Sequence, residues 1–415
     1  MRESVDPAGR DRGRVVVTGL GAVSGFGWGL GPLWEGLRAA RVAIGPFDRF
    51  DHRAHRTHLA SQVPPMSEGA CDPPSIWKRS SYADRFAVFA AREAVRGAAL
   101  DLDSFRSRLG VFFGTSTGGM LEGEEYFQEI LRGARRRQRV SLLASQPLDG
   151  PGDAVARSLR IEGPVGTISS ACSSGAMALG AALSAVRRGE VDAALAGGAD
   201  SLCRLTYSGF NALRSVDPDP CRPFRRDRAG LSIGEGAAAV LLEPLEGALA
   251  REATPIVELA GFAATCDAHH MTAPEVDGSG AARAILESLK DARVEADDVD
   301  FVNAHGTGTL LNDRAEWRAL SRVFGGRIAT IPITSTKALL GHLLGSAGVL
   351  EAVATALCLR AREVHPMPRS GVADPALPAN LVLYRPRPLE RARHGLSTSL
   401  AFGGANAAIV LSRYG

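Results

Sequence analysis

Lysine, aromatic side chains and long uninterrupted apolar runs are all scarce in this chain of 415 residues. Only Lys78, Lys290 and Lys337 are lysines, so nearly all the positive charge is arginine and each lysine draws notice. A formal charge of +3 is close to neutral for this length and gives no reason to expect nucleic acid as a partner. The cysteines, at 71, 172, 203, 221, 266 and 358, show no close pairing; no disulfide framework is expected, and a reduced, cytoplasmic setting fits. The leader with Arg2, Arg10, Asp11, Arg12 and Arg14 has no signal-type hydrophobic core. The most apolar helix candidate, Val349 to Leu359, is interrupted by Glu351 and reads as too short to cross a bilayer, so no membrane is expected.

What the chain does have is glycine, 47 of them, and alanine-rich runs that suit helices packed closely on sheets. Buried strands running into glycine recur, Arg14 into Gly19 and Leu109 to Gly114, and Asp192 to Asp200 is another buried strand. From Glu258 the alternation starts again, with Val299 to Ala304, Ile331 to Thr336 and Leu396 to Ala401 each running into a glycine turn. Strand, turn and helix in repetition argue an α/β layered fold. The similarity of pattern suggests a duplication, with halves 1–257 and 258–415. Residues 122 to 159 read as amphipathic and then irregular, with a basic run from Arg132 to Arg139 that reads as a solvated face.

The stretch Gly166 to Gly175 is where chemistry is expected. A β-prone run leads into Cys172, and the small residues from Ser173 onward are helix-compatible up to Arg187-Arg188-Gly189, a stop signal. Cys172 therefore falls at a strand-to-helix junction, under the free N–H groups and positive dipole end of the helix, which favours thiolate over thiol. Among nine histidines, His305 in Asn303-Ala-His-Gly-Thr-Gly-Thr309 and His342 in Gly341-His-Leu-Leu-Gly follow predicted strands in glycine-rich surroundings. Strand ends are where α/β folds carry reactive groups. With Lys337 and Glu351 nearby in sequence, one thiol, two imidazoles and an ammonium are the set that activates a sulfur and steadies charge on a thioester oxygen. A hydrolase reading would borrow Asn303 or Asn406 to orient a histidine, but nothing around Cys172 admits water selectively. His52, His55 and His58 with Cys71 lack a standard zinc spacing and read as loop histidines.

Taken in order, the Cys172 window, Arg222-Pro-Phe224 with Gly234-Glu-Gly236, Asp267 to Pro274, Asn303 to Thr309, Ser335-Thr-Lys337, Gly341 to Gly345 and Phe402 to Asn406 resemble the elongating β-ketoacyl-acyl carrier protein synthases of type II fatty acid and polyketide synthesis. The match spans residues 14 to 413. The resemblance implies the thiolase fold, two βαβαβαββ halves in an α-β-α-β-α stack, as a homodimer or as a heterodimer with a related subunit. It implies that Cys172 receives an acyl chain from acyl carrier protein and that His305 and His342 assist decarboxylation of malonyl carrier protein. The resulting enolate then attacks the acyl thioester. By the same resemblance the N–H groups of Cys172 and Phe402 hold the oxyanion, Lys337 supports the charge network with Glu351, and Phe402 gates the acyl pocket. Asn406 is a further supporting residue, Thr272, Thr307 and Thr309 contact phosphopantetheine, and Thr117 stands near the acyl tunnel. No metal or cofactor is implied beyond the phosphopantetheine that the carrier protein brings.

This chain departs from the family pattern at Arg225, Leu400, Ala401, Ala405 and Thr117, which points to altered gating or a specialised acyl chain. Lys78 and Arg79 are the expected docking residues for the acidic carrier protein. A non-condensing acyltransferase and a chain-length-factor-like subunit are the alternatives. The latter commonly lacks the nucleophile that Cys172 supplies here.

Overall fold

Among the described residues, each half of the chain contributes five strands to the main sheet in the same spatial order, with the short strand Gly27–Trp28 as an addition beside the first. The first half contributes β1 (Val15–Ser24), β2 (Leu109–Gly114), β3 (Val165–Ile168), β4 (Ala193–Asp200) and β5 (Gly236–Pro244). The second contributes β6 (Val257–Cys266), β7 (Val299–Asn303), β8 (Ile333–Thr334), β9 (His394–Leu400) and β10 (Ala405–Arg413). The orders are β3-β2-β4-β5-β1 and β8-β7-β9-β10-β6. In both, the second strand runs parallel to the third and fourth, and the fourth, fifth and first are antiparallel. The two first strands pair antiparallel, Val16 with Glu258 and Val17 with Val257, joining the sheets edge to edge. These descriptions come from a computed structural model that describes residues 13–66, 80–133 and 140–415.

Parallel neighbours need long crossovers, and helices supply them. Their ranges are α1 (Tyr82–Gly97), α2 (Met120–Leu131), α3 (Gly150–Leu159), α4 (Ser174–Arg187), α5 (Ser279–Ala292), α6 (Leu310–Phe324) and α7 (Ala347–Ala361). Helices α1 and α3 cover the outer face of the first sheet, α5 covers the outer face of the second with α6 packed beside it, and α4 and α7 lie between the sheets. That is the five-layered α-β-α-β-α stack. Every residue of α7 from Ala347 to Leu359 is buried, as a helix apolar on all sides requires. The helical run Leu344–Ala361 reaches 18 residues and is 89% buried inside the protein. It is longer than the eleven or so residues read from the sequence, because Leu344 to Ser346 extend it with a 3-10 turn.

The duplication extends to a shared device. In β1 the register against β5 shifts between Val17 and Gly19, and in β6 the register against β10 shifts between Leu259 and Gly261. A Cβ on Gly19 would lie 2.0 Å from the Ala94 carbonyl of α1, and one on Gly261 would lie 2.3 Å from the Ser288 carbonyl of α5. Glycine at each bulge thus lets an outer helix sit directly on the strand. Helix α3 was missed by the sequence reading. Gly150-Pro-Gly resembles a turn, yet Pro151 stands in the first helical turn, where its missing N–H costs nothing, and Ala154, Val155 and Leu159 are buried in the core shared with α1.

Candidate active site

The strand β3 ends at Ile168, four residues before the nucleophile candidate, and α4 begins two residues after it. The turn between them is held in shape by Ala171, whose φ of 50° is in the left-handed region. The Ala171 carbonyl accepts hydrogen bonds from Ser174 Oγ at 2.6 Å and from Ser116 Oγ at 3.0 Å. Cys172 is buried, with the backbone N–H groups of Phe402 and of Cys172 itself bearing on its sulfur. The expected thiolate is not what results. Burial pushes the thiol up to about 11, outweighing the pull of Lys337 and those two N–H groups, while Asp200 adds to the rise. Loss of solvent is a tertiary effect and has no local sequence signal.

The histidines come from the second half. His305 follows β7, with its backbone N–H bonded to Glu316 Oε1 at 2.7 Å and to Thr398 Oγ1 at 3.1 Å. Its Nδ1 lies 3.1 Å from Lys337 Nζ, and Lys337 is ion-paired with Glu351. Side chains of that pair are only 1% and 2% exposed. Burial raises the Glu351 carboxyl to about 7, against the opposing effect of Lys337. His342 follows Gly341, and its Nδ1 accepts the Leu344 N–H at 3.2 Å. Its buried Nε2 has no hydrogen-bond partner among the described residues. The two rings stand edge to face, 5.3 Å apart between centroids. Burial, with Lys337 adding to it, drives both far below the usual histidine range, so both are neutral.

A neutral imidazole has one proton, and the partner of one nitrogen decides where it sits. Leu344 N–H donates to Nδ1 of His342, and the Lys337 ammonium donates to Nδ1 of His305. Each ring therefore carries its proton on Nε2. Cys172, His305 and His342 together line a cavity of about 320 Å³, whose walls also include Thr272, Thr307, Thr309, Phe402 and Asn406. Thr307 and Thr309 are hydroxyl to hydroxyl at 3.0 Å. Asn406 holds Asp267 at 2.7 Å and so ties the loop of Phe402 to β6.

Thr117 does not line this cavity: its hydroxyl and its N–H both go to Asp200 Oδ1, at 2.9 and 2.7 Å. Lys78, Arg79 and Cys71 lie outside the described residues. His52 contacts His58 at 3.0 Å and His55 contacts Ser208 at 3.1 Å, a packed histidine group on Phe47 and Tyr207. Neither Asn303 nor Asn406 bonds an imidazole of the site: Asn303 binds Thr336, Thr355 and the Glu351 carbonyl.

Three buried acids escaped the sequence reading. Asp200 accepts from Thr115 Oγ1, from the N–H groups of Ser116, Thr117 and Gly118, and from Ser346 N–H, joining the loop under Cys172 to the loop after His342. Glu316 holds the N–H groups of His305 and Gly306, and Asp313 holds those of Phe224 and Gly308. The available signals were a carboxylate closing an otherwise apolar strand, and two acids three apart on the helix behind Asn303 to Thr309.

A duplicated α/β body with a thiol and two neutral imidazoles in one cavity is the layout of a thioester-handling enzyme. The chain belongs to the beta-ketoacyl synthase family: the N-terminal domain of that family matches residues 12–248 and the C-terminal domain residues 256–370. It is 34% identical to 3-oxoacyl-acyl-carrier-protein synthase 2 of Staphylococcus aureus, covering 97% of this chain and 98% of the relative. It is 36% identical to nodulation protein E of a Rhizobium species, covering 95% and 98%. Among solved structures it resembles the ishigamide ketosynthase/chain length factor, with a TM-score of 0.91 and 36% identity over 97% of this chain and 100% of the other.

Proposed function

We propose that this chain condenses a malonyl unit with an acyl chain, both delivered on acyl carrier protein, to give a 3-oxoacyl-carrier protein in fatty acid or type II polyketide synthesis. The carrying observation is that both Nε2-protonated imidazoles share a cavity with the Cys172 sulfur. In the first step the Cys172 sulfur displaces the pantetheine sulfur from the acyl carbonyl, and the thiol proton leaves with the released pantetheine. Malonyl carrier protein then enters past Thr272, Thr307 and Thr309. His305 and His342 donate their Nε2 protons as hydrogen bonds to its thioester oxygen. The bond to CO₂ breaks, its electron pair passes into the enolate, and those two donors stabilise the new negative charge. The enolate carbon attacks the acyl-Cys172 carbonyl, whose oxygen is met by the N–H groups of Cys172 and Phe402. Collapse expels the Cys172 sulfur, which regains a proton.

In this reading the half up to residue 257 supplies the nucleophile and the half from 258 supplies the imidazoles. Lys337 with Glu351 fixes the His305 tautomer, and Asn406 steadies the gate residue Phe402. The thioester carbonyl is itself the electron sink, so the chemistry calls for no group beyond the phosphopantetheine of the substrate. Lys78 and Arg79 would meet the acidic carrier protein, with exposed Arg214 at the cavity mouth as a further contact. The open edge of β3, with Val165 41% exposed, and the apolar Phe127, Ile130 and Leu131 of α2 fit a related or identical second subunit. The enzyme is assigned to the cytoplasm.

The test is to mix the purified protein with acyl-loaded and malonyl-loaded carrier proteins and weigh the products. A product two carbons longer, with CO₂ released, supports condensation. Acyl transfer without extension supports the acyltransferase alternative, and absence of any acyl-enzyme supports a chain-length-factor-like role.

A further inference from the structure

A buried polar chain lies behind Lys337, and none of its members lines the cavity. It begins at His365, fully buried just after the end of α7. His365 Nδ1 is 3.3 Å from the Pro366 carbonyl and 3.3 Å from Thr334 Oγ1, and its Nε2 is 3.3 Å from Thr336 Oγ1. A carbonyl can only accept, so Nδ1 carries the proton and Nε2 is left as an acceptor. Thr336 in turn meets Asn303, whose Nδ2 reaches the Thr336 hydroxyl at 3.1 Å and whose Oδ1 takes the Thr336 N–H at 3.4 Å. The Thr336 hydroxyl also lies 3.2 Å from Asn303 Oδ1, but that oxygen already accepts the Thr336 N–H, whereas Thr336 is the one donor the structure gives His365 Nε2 among the described residues, so the hydroxyl proton satisfies His365. Asn303 Nδ2 also reaches the Glu351 carbonyl at 3.1 Å.

Both ends of this chain adjoin the site. Thr336 immediately precedes Lys337, and Asn303 is two residues before His305 in the strand and turn that deliver its ring. We propose that His365 is a positioning residue for the condensing site: by accepting the Thr336 hydroxyl it fixes Thr336 and Asn303, and through them the contact of Lys337 with His305. Burial holds the His365 ring at about 4, so it remains the neutral acceptor throughout ordinary working pH. The nucleophile half is untouched by this chain, since Cys172 is held by Ser116, Ser174 and the loop that Asp200 organises.

The proposal rests on the condensing reading, and the two half-reactions separate the two claims. In H365L the release of CO₂ from malonyl carrier protein is expected to fall about ten-fold, the worth of one buried hydrogen bond with its partner left unpaired. Loading of acyl groups onto Cys172, followed by protein mass, is expected to stay at the wild-type rate. Glutamine can accept from Thr336 through Oε1 and donate to the Pro366 carbonyl through Nε2, so H365Q is expected to recover most of the loss. T336V is expected to reproduce H365L, and the double variant to be no worse than either single one. An equal fall in both half-reactions, an unchanged decarboxylation rate, no recovery in H365Q, or additive losses in the double variant would overturn the proposal alone. A wild type that loads Cys172 but never releases CO₂ overturns the condensing reading, and the proposal with it.

Discussion

Replacing Lys337 by methionine separates the structural and the chemical roles of one ammonium. Lys337 and Glu351 are 1% and 2% exposed, so the single change leaves a carboxyl in a site with no solvent. Breaking a buried pair from one side costs about 3–5 kcal/mol. The lower end applies here, because Glu351 already sits at about 7 beside the ammonium and takes up a proton once that charge is gone. With a urea slope of about 3 kcal/mol per molar, about 3 kcal/mol moves the unfolding midpoint by about 1 M. Adding Glu351→Leu removes the stranded carboxyl and restores the midpoint to within about 0.5 M, since apolar replacement of a whole buried pair is close to neutral. Decarboxylation behaves differently. In both variants His305 Nδ1 loses its donor, the proton is free to move to that nitrogen, and the hydrogen bond to the thioester oxygen goes with it. A loss of about 10²–10³ in rate is the usual cost of one such donor. The expected pattern is recovered stability with unrecovered decarboxylation. A double variant that regains the rate, or one no more stable than Lys337→Met, would refute the reasoning.

Three further outcomes follow from burial and packing. His365, at about 4 against an ordinary 6.5, and the similarly lowered His305 and His342 bind fewer protons folded than unfolded. Their stabilisation is intact above about pH 6.5 and is lost as pH falls toward 4, about 3 kcal/mol for His365 alone. Glu351 and Glu122, both raised to about 7, act in the opposite direction, so the His365 share is read as the urea midpoint of the wild type relative to His365→Leu, and a difference that stays flat from pH 7.5 to 4.5 would contradict this. Gly19→Ala places a Cβ 2.0 Å from the Ala94 carbonyl and is expected to cost about 3 kcal/mol, whereas Gly247→Ala, with its nearest atom at 3.9 Å, should cost nothing in the same thermal melt. With its thiol near 11, Cys172 should be alkylated by iodoacetamide about ten-fold faster for each pH unit between 7 and 9, and an inflection near 7 would show that the helix N-terminus outweighs burial.

The position of Cys172 was legible because a strand, a short turn and a small-residue helix are local patterns, and the structure has all three in that order. Its ionisation was not, because it is decided by burial in the folded protein and by the charges of Lys337 and Asp200 and the N–H of Phe402, all far away in the chain. The alternation of strands and glycine turns announced two α/β halves, but not that β1 and β6 would pair, which depends on two edges meeting in space. His305 and Lys337 are 32 apart in sequence and touch, a proximity that only the family resemblance hinted at. Asp200, Asp313 and Glu316 went unseen because their work is to gather backbone N–H groups, which every residue but proline carries, so only a carboxylate at a strand end and two acids on one helix face marked them. Thr117 was read from its neighbours in the family pattern, while its hydroxyl turned inward to the nearest buried anion.

In the proposed reaction the sulfur of Cys172 carries the acyl chain while the two imidazoles act only on the malonyl thioester. Peptide mass spectrometry of the His342→Ala protein, after exposure to acyl-loaded and malonyl-loaded carrier proteins, tests it most directly. The account predicts an acyl adduct on the Cys172 peptide that persists without elongated product. An elongated product formed at the wild-type rate, or an adduct on any other cysteine, would contradict it.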